Sequence, residues 1–347
     1  MDGFLFFKDF AVSISHFRIM KYVMIIILSL FSENPSSAKD STLIMFWNLE
    51  NFFDYRDSGN GTADTEFSST GQRHWTKKRF YAKCNAIAKA IMWIGSEKGR
   101  MPDIIGVAEV ENRFVLERLV YATALKKYDY GVVHYESPDP RGIDVGLLYR
   151  RSFFKVLSSR RCPVTDSCSS GTPLLTRDIL EVKLKKTEGD GGRGDSGSEL
   201  ILLVNHHPSK YGGDSGIWRR KVAMARLKEA GDSLVSAGVK RIVAMGDFND
   251  TPDNPVFQKL DGLFINKALP LYNKGYGTIR YKGKWDMIDM FFVSKNSFLH
   301  SSMEIARIPF LFVRDNTFAG EKPLRTYSGP KYVGGVSDHC PILLVLW

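Results

Sequence analysis

Cysteine is scarce. The 347 residues hold four, Cys84, Cys162, Cys168 and Cys340, and no two of them form a C-x-x-C pattern. A cysteine zinc cluster and thioredoxin-type chemistry are thereby disfavoured. Cys162 and Cys168 bracket a short polar loop and could close a small disulfide in an oxidising compartment. Cys84 lies on an apolar helical stripe and Cys340 opens the last strand, so both read as buried free thiols. The chain also lacks G-x-x-x-x-G-K-[ST] and any strand-linked G-x-G-x-x-G, which disfavours nucleotide kinases and dinucleotide-dependent dehydrogenases. There is no internal repeat and no internal linker. Negative charge is in the minority, 38 Asp and Glu against 48 Lys and Arg, for a formal net charge of +10.

A basic surface favours polyanions: nucleic acid, phosphorylated small molecules or anionic membranes. The plain alternative is a solvated basic protein without such a partner. Much of the charge sits in Trp75-Thr76-Lys77-Lys78-Arg79 and Trp218-Arg219-Arg220-Lys221, where an indole adjoins cations. Such segments suit phosphate contact, or equally the wet faces of helices.

The amino end reads as a targeting segment. Met20-Lys21 precedes the apolar run Tyr22 to Phe31, followed by Ser36-Ser37-Ala38 and polar Lys39-Asp40-Ser41. The run is well short of the ~20 residues that span a membrane. Residues 1–38 are therefore expected to be a signal-peptide region, with translation starting at Met20 and a soluble secreted or periplasmic product. A single domain is expected over 42–347, because the motifs below span nearly all of it.

Buried strands are expected at Leu43–Asn48, Asp103–Glu109, Ile143–Tyr149, Leu180–Lys183, Leu200–Asn205, Arg241–Gly246, Met287–Val293 and Cys340–Leu346. Asp54–Arg73 reads as loop. A helix is expected from Lys77 to Gly95, with Phe80, Cys84, Ile87, Ile91 and Ile94 on one face and Thr76 as N-cap; Asn112 caps another, and Ile217–Ala237 forms a third. Lys185–Ser198 is a low-complexity tip, and its Arg193-Gly194-Asp195 reads as chance. Helices alternate with strands early, and strands follow one another later. The fold class is α/β, with two sheets face to face and helices outside.

Chemistry collects at the strand ends. Trp47-Asn48-Leu49-Glu50-Asn51, Ala108-Glu109-Val110-Glu111-Asn112, Asn205-His206-His207-Pro208-Ser209, Gly246-Asp247-Phe248-Asn249, Ile288-Asp289-Met290 and Ser337-Asp338-His339-Cys340-Pro341 each bring a carboxylate, amide or imidazole to an apolar run. Such groups hold a hard cation and move protons around a phosphate. Any one carboxylate at a strand end is usually solvated, so the weight rests on the set. Period-two alternation puts Asn48 and Glu50 on one side, and Glu109 and Glu111 on another. Gly246 is expected to permit a tight turn. Asp289 could accept from one nitrogen of His339 and keep the ring cationic. His207 and Pro208 read as packing and turn; His74, His134 and His300 carry no supporting context.

In order and wording these segments resemble the endonuclease/exonuclease/phosphatase superfamily, from about Leu43 to Trp347. The combination of Gly-Asp-Phe-Asn with Ser-Asp-His-Cys-Pro is the most specific part. Trp47 to Asp54, Arg141 to Tyr149 and Asn205 to Ser209 are similar in texture to secreted members of Bacteroidetes type. The resemblance implies a DNase I-like four-layer sandwich of two packed mixed sheets flanked by helices. It implies metal-site roles for Asn48, Glu50, Glu109 and Asp338, and catalytic roles for His206, Asp247, Asn249, Asp289 and His339. Arg141 and Arg220 become candidate phosphate-binding residues. The implied activity is a divalent-metal-dependent phosphoesterase working by in-line water attack, Mg²⁺ first and Mn²⁺ or Ca²⁺ as alternatives; the basic charge makes a phosphodiesterase or endonuclease acting on nucleic acid the favoured reading, and a monomer is expected. The alternatives are a phosphatase or sphingomyelinase-type hydrolase of a phospholipid or phosphorylated metabolite, or a catalytically silent binding protein on the same fold. The identity of the general base stays open.

Overall fold

β1 (Thr42–Phe52) is buried over nearly its whole length, and its alternate side chains enter two different cores. Ile44 and Phe46 pack with Leu147, Leu202, Val243 and Phe291; Leu43, Met45 and Trp47 pack with Phe80, Ile87, Ile91 and Leu116. A strand covered on both faces belongs to the inside of a layered structure.

The computed structural model describes residues 41–59, 61–165, 174–187, 198–210, 214–295, 297–298 and 300–347. The proposed signal region, Cys168 and the Arg193-Gly194-Asp195 tripeptide lie outside them. After β1 come β2 (Ile104–Val110), β3 (Tyr130–His134), β4 (Asp144–Arg150), β5 (Phe154–Cys162) and β6 (Ile179–Lys186). Then follow β7 (Glu199–His206), β8 (Ile242–Asp247), β9 (Phe264–Asn266), β10 (Ile279–Tyr281), β11 (Lys284–Asp286) and β12 (Asp289–Ser294). The last are β13 (Ser301–Ile305), β14 (Phe312–Arg314), β15 (Glu321–Pro323), β16 (Tyr327–Ser328), β17 (Lys331–Tyr332) and β18 (Ile342–Leu346). The long helices are α1 (Lys77–Glu97), α2 (Arg113–Tyr121) and α3 (Asp214–Ser236).

One six-stranded sheet runs β13-β18-β1-β2-β4-β3, the other β5-β6-β7-β8-β12-β9. Both are mixed: β1 and β2 are parallel, as are β7 and β8, and their other pairings are antiparallel. α1 and α2 cover the outer face of the first sheet, and Ala223, Met224, Leu227 and Leu234 of α3 cover the second. This is the expected two-sheet sandwich with outer helices. The sheets meet closely at Gly106, where a β-carbon would lie 2.8 Å from the Met245 sulfur.

The helices begin where their caps stand. Thr76 accepts from Arg79 N at 3.4 Å and Asn112 from Val115 N at 3.1 Å. Cys84, Cys162 and Cys340 are buried free thiols, and burial pushes Cys84 and Cys340 each up to about 12. The expected loop 54–73 contains a short helix, Thr62–Glu66. Among the described residues no helix is long and apolar enough to cross a membrane.

Candidate active site

The two parallel pairs end side by side. Asn48 is in register with Ala108, while His206 and Asp289 flank Asp247 on neighbouring strands. The functional side chains thus emerge from the ends of six interior strands rather than from long loops, which fixes them well. Seven non-glycine residues among those described have positive φ, and four of them lie here: Glu50 (46°), Asn51 (52°), Glu109 (57°) and Asn249 (53°). Each such residue costs on the order of 1 kcal/mol.

These bends overturn two expectations built on strict alternation. The β1–β2 register shifts between Asn48 and Phe52, and Glu50 turns to accept from Arg325 Nε (2.6 Å) and Thr326 N (2.9 Å). Glu109 accepts from Asn51 N at 2.8 Å, whereas Glu111 turns away to Asp54 N (2.6 Å) and Ser58 Oγ (3.0 Å). Gly246 also differs from expectation. It lies within β8, and a β-carbon there would sit 2.3 Å from the Asn205 carbonyl oxygen, so glycine serves close strand approach. The turn falls instead on Asn249.

Asp247 is the hub. Its Oδ2 accepts from Asn48 Nδ2 at 3.0 Å and lies 3.8 Å from both His206 Nε2 and His339 Nε2; its Oδ1 accepts from Asn249 N at 2.9 Å. Burial raises the carboxyl to about 7, against the pull of His339. His339 is also buried, which works against its charge. The hydrogen-bonded Asp289 carboxylate, 2.8 Å from Nδ1, overrides this and holds the ring well above the ordinary histidine range, helped by Asp247 and Asp338. His206 goes the other way: burial, Arg177 and Arg141 keep it neutral, pushed well below the usual value. One imidazolium and one neutral imidazole therefore face the same carboxylate. His207 packs edge-on against Phe248 at 4.9 Å, as expected of a packing residue.

Arg141 reaches the site, donating to Asn51 Oδ1 at 2.7 Å with Glu109 at 3.7 Å. Arg220 does not reach it as a free cation. It is buried, donates to Asp250 Oδ2 (2.7 Å) and to the Ser209 carbonyl (2.9 Å), and is committed to structure. The expected result of Arg220→Ala is a loss of about 3 kcal/mol in urea unfolding, because Asp250 is left buried and unpaired. The folded variant should keep kcat/KM within about tenfold of wild type. In the other basic segment, Trp75 is fully buried and donates to the Phe53 carbonyl, while Arg79 donates to the carbonyls of Arg73 and His74.

Several residues escaped sequence reasoning. Arg325 bridges Glu50 and Asp338, with Nη2 3.1 Å from Asp338 Oδ2. Lys83 is buried under the site and donates to the Glu50 carbonyl and Thr326 Oγ1 (2.8 Å); burial lowers it to about 8. Ser337 Oγ donates to the Asn48 carbonyl and accepts from His339 N. Arg177 donates to the carbonyls of both His206 and His207. His134, which has no sequence context, lies 3.3 Å from Asp144 in a second histidine–carboxylate group with Glu136.

Glu50, Glu109, Asp338 and the Asn48 amide offer the hard oxygen donors that Mg²⁺-like ions require. Glu50 is held above the ordinary carboxylate range by burial and then by Asp338, despite Arg325 and Lys83. Three carboxylates and an amide oxygen converge here, with Arg325 already neutralising part of their charge, and this donor set fits a divalent cation. Asp247, Asp289 and His339 also cluster within ligand distance. The His339 Nδ1–Asp289 contact is a direct hydrogen bond, so this trio reads as a proton-handling group.

A family model described as the Endonuclease/Exonuclease/phosphatase family matches residues 43–347. No curated protein matches. A mannosyl-6-phosphatase from Bacteroides thetaiotaomicron is 14% identical with a TM-score of 0.55, covering 88% of this chain and 100% of its own. The human nocturnin catalytic domain with bound sulfate is 15% identical, TM-score 0.53, over 89% of this chain and 94% of its own. TDP2 of D. rerio, complexed with a single-strand DNA product, is 13% identical, TM-score 0.51, over 88% and 98%. At such identities the likeness concerns the fold alone.

Proposed function

Because the chain belongs to the endonuclease/exonuclease/phosphatase family, a family of phosphoester hydrolases, we propose that it is a divalent-metal-dependent phosphodiesterase acting on nucleic-acid phosphodiester bonds. The observation that carries this reading is the buried Asp247–His339–Asp289 group, its imidazole held by Asp289 at 2.8 Å, beside a nest of oxygen donors. Glu109 would hold the cation with Asn48, Glu50 and Asp338; Mg²⁺ is the first choice. Such an ion supplies charge neutralisation at a phosphoryl oxygen.

The chain's own residues do the rest. Asp247 accepts a proton from the attacking water as the water oxygen bonds to phosphorus. The bond from phosphorus to the leaving oxygen breaks with its electron pair, and that oxygen takes a proton from solvent. Cationic His339 and neutral His206 donate hydrogen bonds to charge that grows on the phosphoryl oxygens, where preorganised donors act most strongly. Asp289 fixes the ring of His339. Asn249 spends one amide hydrogen on the His207 carbonyl (2.9 Å), which orients the remainder of its amide.

The net charge of +10 favours a polyanion over a small monoester. A second reading, a phosphomonoesterase, draws on the mannosyl-6-phosphatase among the structural relatives. The test compares plasmid DNA, RNA, bis-p-nitrophenyl phosphate, p-nitrophenyl phosphate and sphingomyelin in Mg²⁺. Faster cleavage of nucleic acid and the diester, weakening steeply with salt, supports the proposal. Preference for the monoester favours the second reading, and inactivity on all five substrates refutes both.

A further inference from the structure

A cavity of about 570 Å³ opens beside the catalytic group, with Asp338 and Arg325 in its lining. That volume lies within the ~300–1,000 Å³ of small-molecule sites, far more than a phosphate needs. Its walls are the β10–β11 and β14–β15 hairpins. Tyr281 (67% exposed) and Phe318 (40% exposed) present exposed rings there, with the Lys282 ammonium 5.4 Å from the centre of the Tyr281 ring and Arg314 in the same lining.

The two hairpins form one preformed wall. Half-buried Arg280 ion-pairs with Asp315 (3.3 Å) and donates to the carbonyls of Gly283, Ala319 and Glu321. Gly283 has φ of 82°, and Phe318 stands 3.0 Å from where a β-carbon would be, so the turns touch. The wall is also registered to the chemistry. Ile279 bridges His339, the Thr278 carbonyl accepts from Cys340 N at 2.7 Å, and Thr278 Oγ1 accepts from Asp289 N at 3.3 Å. A group seated against these rings thus keeps a fixed relation to the catalytic imidazole.

We infer that this cavity is a subsite for one nucleoside of the substrate, its base lying on the rings of Tyr281 and Phe318 beside the scissile phosphate. Planar bases stack on aromatic side chains whatever their sequence, and adjacent cations track the backbone. A choline headgroup would also meet aromatic faces, but Lys282, Arg314 and Arg325 oppose its charge. The inference rests on the phosphodiesterase reading and names the substituent that the site accepts.

The test uses three p-nitrophenyl diesters with the same leaving group: thymidine 5′-(p-nitrophenyl phosphate), methyl p-nitrophenyl phosphate and p-nitrophenylphosphorylcholine. The thymidine ester should exceed the methyl ester in kcat/KM by about tenfold, the scale of one stacked base. The Tyr281→Ala/Phe318→Ala double variant should lose that advantage and keep the methyl-ester rate within about twofold. Equal wild-type rates, preference for the choline ester, or a variant that slows both esters alike would overturn the subsite. Failure to cleave any of the three would sink the phosphodiesterase reading instead. Calorimetric titration with thymidine 5′-phosphate then decides the subsite alone: binding weakened about tenfold in the double variant supports it, and no binding, or equal binding, rejects it.

Discussion

His339→Ala should lower kcat by about a thousandfold or more, with the circular dichroism spectrum unchanged. The size follows from what the ring does. Asp289 holds it as a cation at 2.8 Å, and its other nitrogen faces Asp247 and Asp338 at 3.8 Å, the position at which the proposed mechanism seats the phosphoryl group. Alanine removes the only imidazolium of the site. The side chain lies outside both hydrophobic cores, so the fold should form, although Asp289 left buried without its partner should lower stability by about 3 kcal/mol. Asp289→Asn separates charge from shape: it keeps a partner for the ring but not the carboxylate that keeps the ring charged, and a loss of about a hundredfold or more is expected. A fall of only a few-fold in either purified variant would remove His339 from the mechanism.

Asp247→Asn is nearly isosteric and should cost about a thousandfold in kcat/KM, because the amide cannot accept the water proton. It should also change the pH profile. Burial lifts the Asp247 carboxyl to about 7, so the accepting form grows in as pH rises through neutrality, and wild-type kcat/KM should climb steadily up to about pH 7. The variant should lose that limb. Stability has the opposite sign. A carboxyl whose folded value exceeds its unfolded one stabilises the protein below the unfolded value, and that stability is lost as pH rises through the folded value. At pH 8, with chelator present, the Asp247→Asn protein should therefore melt higher than wild type. A lower melting temperature there, or an unchanged acid limb, would contradict the assignment.

The strands legible in the sequence are those buried on both faces, such as Leu-Ile-Met-Phe-Trp in β1 and Ile-Val-Ala-Met in β8. Within the two six-stranded sheets the four that went unseen, β3, β5, β9 and β13, are the four edges, and the short strands of the two-stranded hairpins, β10, β11 and β14 to β17, went unseen as well. β5 shows why: Phe-Lys-Val-Leu-Ser-Ser-Arg-Arg-Cys is mostly exposed, so it lacks the continuous apolar run. The site was legible where a motif places a side chain at a strand end, as for Asp247, His206 and His339. Side-chain direction was misread where left-handed backbone at Glu50 and Glu109 breaks the alternation, so that Glu111 turns away from Glu109. Arg325 was invisible because its meaning comes from Glu50, 275 residues away in the chain. Arg220 looked like a phosphate ligand because a sequence cannot display its buried partner, Asp250.

If carboxylates, amides and imidazoles from both sheets jointly handle a cation and a phosphoester, hydrolysis must depend both on metal and on the residues that would hold it. The most direct measurement follows p-nitrophenolate release from bis-p-nitrophenyl phosphate in Mg²⁺, after EDTA, and after Mg²⁺ is restored, with Glu109→Ala run alongside. Hydrolysis should stop with chelator, return with metal, and be nearly absent in the variant. Hydrolysis indifferent to chelator and to Glu109 would contradict that joint role.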